Sequence, residues 1–210
     1  MSCCDVNGLN SFFRGALVRW ERLLFERRGP TEQQQRIIEL ASVGPSGRSV
    51  LEVGCGVGAV TTTLLARGAA RGLYVDLSQD YLQAAAELAQ RAGVGGRAAF
   101  YRLDFAEARL AMADIVIADR VVCCYPDAET LLEAAAAHSR ALLIFSYPRP
   151  SWLSRLLRRL LNLMVRLLGK DYRFFLHDPE RLLRAATRSG HRLSRQRSLG
   201  FWQLAVLERD

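Results

Sequence analysis

The run Ser49-Val50-Leu51-Glu52-Val53-Gly54-Cys55-Gly56-Val57-Gly58 constrains this chain more than any other stretch. An apolar segment ends beside an acid, and three glycines follow at alternate positions. That is a strand breaking into a tight turn, where glycine supplies positive φ and lets the backbone approach a ligand. Glu52 sits two residues before the first glycine, at the strand end where open α/β sheets bind ligands. A fixed negative charge there repels a pyrophosphate. It suits a cationic or hydroxyl-rich ligand.

The spacing predicts strand and helix in alternation around this turn. A helix is predicted over 11–28, from the helical recurrence of Phe12, Phe13, Ala16, Leu17, Trp20, Leu23 and Leu24. Gly29-Pro30 ends it. Thr31 starts a second helix carrying Ile37, Ile38 and Leu40, and Gly44–Gly47 forms a loop. Strands are predicted at 49–53, 72–76, 98–103, 114–118 and 141–146, with helices at 59–67, 78–91 and 127–138 between them. Short apolar strands alternating with helices imply a doubly wound, mostly parallel sheet. Beyond residue 150 the pattern changes to helices at 151–168 and 178–189, then two strands near 191–197 and 201–207 joined at Leu199-Gly200.

With 210 residues, the chain suits one domain. The expected parts are an N-terminal helical cap (1–45), a ligand-binding core (49–146), a helical insertion or lid (151–177), and a last helix with a C-terminal strand pair (178–210). The net charge of +8 is carried almost wholly by arginine, Lys170 being the only lysine. Such a balance admits nucleic acid, anionic lipid or an acidic small molecule as partner. It equally follows from a GC-rich coding sequence. The five cysteines include no C-x-x-C, so neither a structural zinc site nor a disulfide framework is expected. No signal peptide and no apolar run of membrane-spanning length is evident. A cytoplasmic protein is the expectation.

Gly54-Cys55-Gly56-Val57-Gly58-Ala59 also satisfies the dinucleotide pattern G-x-G-x-x-A. Glu52, the extra Gly58 and the lack of a second nucleotide-binding unit point away from a nicotinamide cofactor. Asp76 ends the second strand, where an acid can bind ribose hydroxyls. Asp104 ends the third, where a carboxylate can accept from an adenine amino group. Asp119 ends the fourth, toward the substrate side. These residues carry a resemblance. Segment 49–146 resembles the class I S-adenosylmethionine (SAM)-dependent methyltransferases, with Val50–Gly58 similar to the family's first motif and Leu73-Tyr74-Val75-Asp76-Leu77-Ser78 to its second. The resemblance implies a Rossmann-like sheet of seven strands, the last antiparallel, and SAM as methyl donor. It also implies a cofactor site of Glu52, Gly54, Cys55, Gly56, Gly58, Asp76, Leu77, Asp104, Phe105 and Asp119. In it the glycines pack on the methionine part, Asp76 holds the ribose, and Asp104 with Phe105 flanks the adenine.

The acceptor is harder to read. Asp119-Arg120-Val121-Val122-Cys123-Cys124-Tyr125-Pro126 lacks the D/N-P-P-[YF] pattern of methyltransferases acting on nucleic-acid amino groups. Tyr125-Pro126, Ser146-Tyr147-Pro148 and Tyr172–His177 are loosely similar to the magnesium-protoporphyrin IX O-methyltransferases. Asp119, Tyr125 and His177 are the candidate catalytic groups, and Tyr147 a further candidate base. Cys123 and Cys124 could instead hold a soft atom, or simply fill space. In helix 151–168 the arginines form one narrow strip and leucines cover most of the rest. A lid, a core insertion and a membrane-surface helix are all open. The expected function is methylation of a small apolar carboxylate or hydroxyl compound, with no metal, and with possible peripheral membrane contact through 151–168. The alternatives are an RNA- or protein-directed methyltransferase and a non-catalytic SAM-binding partner subunit.

Overall fold

A computed structural model describes residues 15–42 and 47–209. The N-terminal part of the helix expected at 11–28, the Gly44-Pro45-Ser46 loop, and Cys3 and Cys4 lie outside them.

The apolar segments become seven strands of one sheet: β1 (Ser49–Val53), β2 (Arg71–Asp76), β3 (Ala98–Arg102), β4 (Ala113–Ala118), β5 (Ser139–Pro148), β6 (His191–Leu199) and β7 (Trp202–Arg209). Their spatial order is β3-β2-β1-β4-β5-β7-β6. The first five strands pair in parallel, and β7 runs antiparallel to both β5 and β6. The predicted doubly wound sheet with a terminal hairpin is the observed one. Strand β5 is longer than expected because β7 pairs with it from Leu142 to Pro148. That long-range pairing has no signal in the local sequence.

The helices are α1 (Ala16–Arg28), α2 (Glu32–Ala41), α3 (Ala59–Ala66), α4 (Gln79–Arg91), α5 (Ala128–Ala137), α6 (Trp152–Leu167) and α7 (Pro179–Thr187). Local chemistry starts most of them. Thr31 and Gln34 form a capping box at α2, and Ser78, Asp127, Ser151 and Asp178 cap α4, α5, α6 and α7 through their side chains.

Period-two alternation along the strands feeds two cores. Leu51, Val53, Leu73, Val116, Leu143 and Phe145 pack under α5 and α7 with Leu131, Leu132 and Leu182. Val50, Ile115, Ile117 and Ile144 pack on the other face against Ile37 and Ile38 of α2 and Val60 and Leu64 of α3. Strand order reverses between β1 and β4, so a crevice opens beyond their C-terminal ends, where such sheets bind ligands.

Helix α6 differs from the rest. Among its residues only Ser154 and Val165 are buried, which removes the core-insertion reading.

Candidate functional site

The crevice holds a cavity of about 310 Å³. The β1–α3 turn forms its floor. Gly54, Gly56 and Gly58 all take positive φ (63°, 53° and 75°), but they do different work. Gly54 and Gly56 line the cavity. A Cβ at Gly56 would meet nothing closer than Tyr81 Cε1 at 3.9 Å, so open space lies over this backbone. A Cβ at Gly58 would crowd Ala85 Cβ at 2.8 Å and Tyr74 Cε1 at 2.9 Å, so Gly58 serves the packing of the turn on β2 and α4.

The expected cofactor residues divide in the same way. Asp76, Leu77, Asp104, Phe105 and Asp119 lie on the cavity wall with Gly54 and Gly56. Asp76 accepts from Gly56 N at 3.0 Å and Ser78 N at 2.8 Å, which fixes its carboxylate beside the turn. Burial pushes its pKa up to about 6. Glu52 and Cys55 lie behind the wall. Cys55 packs with Leu65, Tyr74 and Leu82, and burial raises its thiol pKa. Glu52 accepts from Thr61 N at 3.1 Å in the first turn of α3. Its carboxyl is only 4% exposed, and burial pushes its pKa up to about 8. Burial thus opposes the negative charge expected beside the glycines, and a cation nearby would favour it.

Asp104 accepts from Tyr125 Oη at 2.8 Å and from Ala106 N at 3.1 Å. Asp119 accepts from Ser146 Oγ at 2.7 Å and from the Gln33 side-chain amide, and lies 3.4 Å from Arg120 Nε. Of the three candidate catalytic groups, Asp119 and Tyr125 reach the cavity. His177 is drawn elsewhere: its Nε2 lies 3.0 Å from the Tyr125 carbonyl, its ring stacks on Phe175, and burial lowers its pKa. Tyr147 is also displaced, its hydroxyl accepting from Gln196 Nε2 at 2.5 Å.

Several lining residues escape local sequence reasoning. Glu21 of α1 accepts from Tyr81 Oη at 2.7 Å, closing one side of the cavity across 60 residues of chain. Phe174 and Trp202 complete the apolar wall. Arg120 is the one non-glycine residue with positive φ among the described residues, at 58°. Its N–H donates to Ser146 Oγ at 2.7 Å, and the residue lines the cavity. Such strain marks functional turns. The cysteine pair lies on the same wall, with Cys123 Sγ and Cys124 Sγ 3.6 Å apart. Cys124 also accepts from Tyr172 Oη at 2.8 Å. Hydrogen bonding from Cys123 pulls the Cys124 pKa down.

The donor set fits SAM. Carboxylates at 21, 76, 104 and 119 around an open glycine backbone suit a ligand with ribose hydroxyls, an amino-bearing base and two positive charges. They do not suit a phosphate.

Comparison with known proteins agrees. Residues 50–142 match the methyltransferase domain family, and the chain has the class I SAM-dependent methyltransferase fold. Among solved structures it is similar to the magnesium protoporphyrin IX methyltransferase of Synechocystis PCC 6803 with bound SAH (19% identity, TM-score 0.73, 96% of this chain and 97% of that one). It is also similar to an O-methyltransferase family protein of Burkholderia thailandensis (17% identity, TM-score 0.71, 92% and 60%). The ribosomal protein L11 methyltransferase of Edwardsiella ictaluri is 36% identical over 74 residues, 35% of this chain and 25% of that protein. The chain thus spans about a quarter of the length of the curated relatives it matches.

Proposed function

We propose that this protein transfers the methyl group of SAM to a small apolar carboxylate. Bound SAM supplies an electrophilic methyl on a sulfonium centre. Alignment with an oxygen nucleophile then provides most of the rate. The observation carrying this reading is the cavity lining, where Arg120 stands with Phe174, Trp202, Cys123 and Cys124. A guanidinium there can hold a carboxylate while the apolar wall takes the remainder of the acceptor.

The bonding of the candidate bases supports a carboxylate over a hydroxyl. Tyr125 donates its hydroxyl hydrogen bond to Asp104, and burial raises its pKa. His177 is turned to the Tyr125 carbonyl. Asp119 is bonded by Ser146, Gln33 and Arg120. A carboxylate is already a nucleophile and needs no base, whereas a phenol needs one. In this reading Asp76 and Asp104 bind the nucleoside, the Gly54–Gly56 backbone admits the amino-acid part, and Asp119 positions Arg120.

A protein-directed activity is the second reading, favoured by the likeness to ribosomal protein L11 methyltransferases. Calorimetry with SAM and SAH, followed by methyl-transfer assays on carboxylates, phenols and a ribosomal protein fraction, tests both. Methyl esters from apolar carboxylates support the proposal. Phenolic ethers alone would replace it with hydroxyl methylation, and labelled protein would favour the second reading. SAM binding without turnover on any acceptor would indicate a partner subunit.

A further inference from the structure

Helix α6 carries an apolar face left exposed among the described residues. Trp152 is 74% exposed, Leu160 and Leu163 each 54%, and Leu167 79%. At 100° per residue the exposed apolar side chains from Trp152 to Leu168 sweep an arc of about 160°. Arg155, Arg159 and Arg166 fill about 40° along one edge of it. The remaining side faces the body of the protein: Val165 packs against Cys123, Cys124 and Tyr172, and Asn162 brackets Phe174 with hydrogen bonds of 2.7 and 3.0 Å. The apolar arc therefore points away from the molecule.

We propose that α6 docks the protein on an anionic lipid bilayer, lying in the plane of its surface. Charge selects this occupant. The stretch Trp152–Lys170 has no Asp or Glu, and the whole chain carries +8. An apolar arc edged by arginine matches an interface where acyl chains meet anionic headgroups, the guanidinium groups reaching up to the phosphates. A second copy of the chain would set two arginine strips together with no acid on either helix to offset them. The helix is also too short and too charged to cross a bilayer, so it lies on the surface. The segment it bonds places Phe174 in the cavity wall. Docking thus sets the acceptor wall next to the membrane, where an apolar acceptor is concentrated.

Vesicle flotation tests this without reference to catalysis. The full chain should float with vesicles of phosphatidylcholine plus phosphatidylglycerol and be released by high salt. It should float weakly with phosphatidylcholine alone. Leu160→Asp with Leu163→Asp should abolish flotation, and Arg155→Gln with Arg159→Gln and Arg166→Gln should weaken it on the order of 100-fold. All five positions avoid the cavity wall, so SAH affinity and thermal stability should hold in both variants, separating lost docking from misfolding. The proposal is overturned if the wild type stays in solution with anionic vesicles, or if both variants float as it does. It is overturned equally if the wild type is a dimer that the leucine variant splits while neither binds vesicles.

Discussion

The hydroxyl of Tyr125 donates to both carboxylate oxygens of Asp104, each at 2.8 Å. This bond ties the exit of β3 to the loop after β4, and both residues line the cavity. It holds Asp104 beside the adenine end of the proposed cofactor site, and it occupies the proton a base would have to lose.

Tyr125→Phe should therefore lower stability by about 1–2 kcal/mol and weaken SAM binding, while leaving the pH profile of methyl transfer to a carboxylate unchanged. Chemical denaturation and a pH series of kcat check it. Loss of the alkaline side of that profile would make Tyr125 a base after all.

The three turn glycines should separate in their effects. Gly56→Ala meets only Tyr81, at an ordinary contact distance of 3.9 Å, so its cost to folding is the left-handed strain, about 1–2 kcal/mol, yet its methyl group points toward the cavity and SAM affinity should fall by at least tenfold. Gly58→Ala should destabilise more, because its Cβ meets Ala85 and Tyr74 at 2.8 and 2.9 Å. Gly54→Ala lands on Val121 and should do both. Thermal melts paired with SAH titrations read the two effects apart.

Two buried carboxyls make the empty protein pH-sensitive. Burial raises Glu52 to about 8 and Asp76 to about 6. Each holds its proton more tightly in the folded than in the unfolded chain. Their contribution to stability is fully present at low pH, below the unfolded carboxylate values, and is lost as pH rises toward 8. A cationic ligand favours their ionised forms, so SAM affinity should rise with pH, Asp76's share levelling off near 6 and Glu52's near 8. Glu52→Gln should flatten both trends, and its own SAM affinity should fall short of the wild type's at pH 8. Melting curves and calorimetry across pH test this. An affinity that stays flat from pH 6 to 8 would count against ionisation of Glu52 on binding.

Arg120→Met should raise KM for a carboxylate acceptor on the order of 10- to 100-fold, the loss of one charged hydrogen-bonding partner, with SAM affinity nearly unchanged. Equal loss for neutral and charged acceptors would mean that Arg120 shapes the turn and does not bind substrate.

The sheet, the helix starts at Thr31 and Ser78 and the acids at the strand ends were legible because they are local. Period-two and helical spacing report which side of one element is buried, and Ser78 or Thr31 announces the helix it caps. The site was legible only in part. That Glu52 lies behind the turn, bonded by the Thr61 amide in the first turn of α3, was invisible in sequence. His177 had the right chemistry and faces the Tyr125 carbonyl. Glu21, Phe174 and Trp202 gave no signal, since each reaches the cavity from a remote part of the chain.

By itself the sequence determined the doubly wound class and the kind of cofactor, because a strand, a glycine turn and the acids that follow are encoded within contiguous segments. Only the tertiary structure decided which of those acids line the cavity, that Arg120 lines it too, and that α6 lies outside the core with most of its leucines bare. Those outcomes depend on which distant segments compete for the same space, and strand pairing such as β5 with β7 sets that competition.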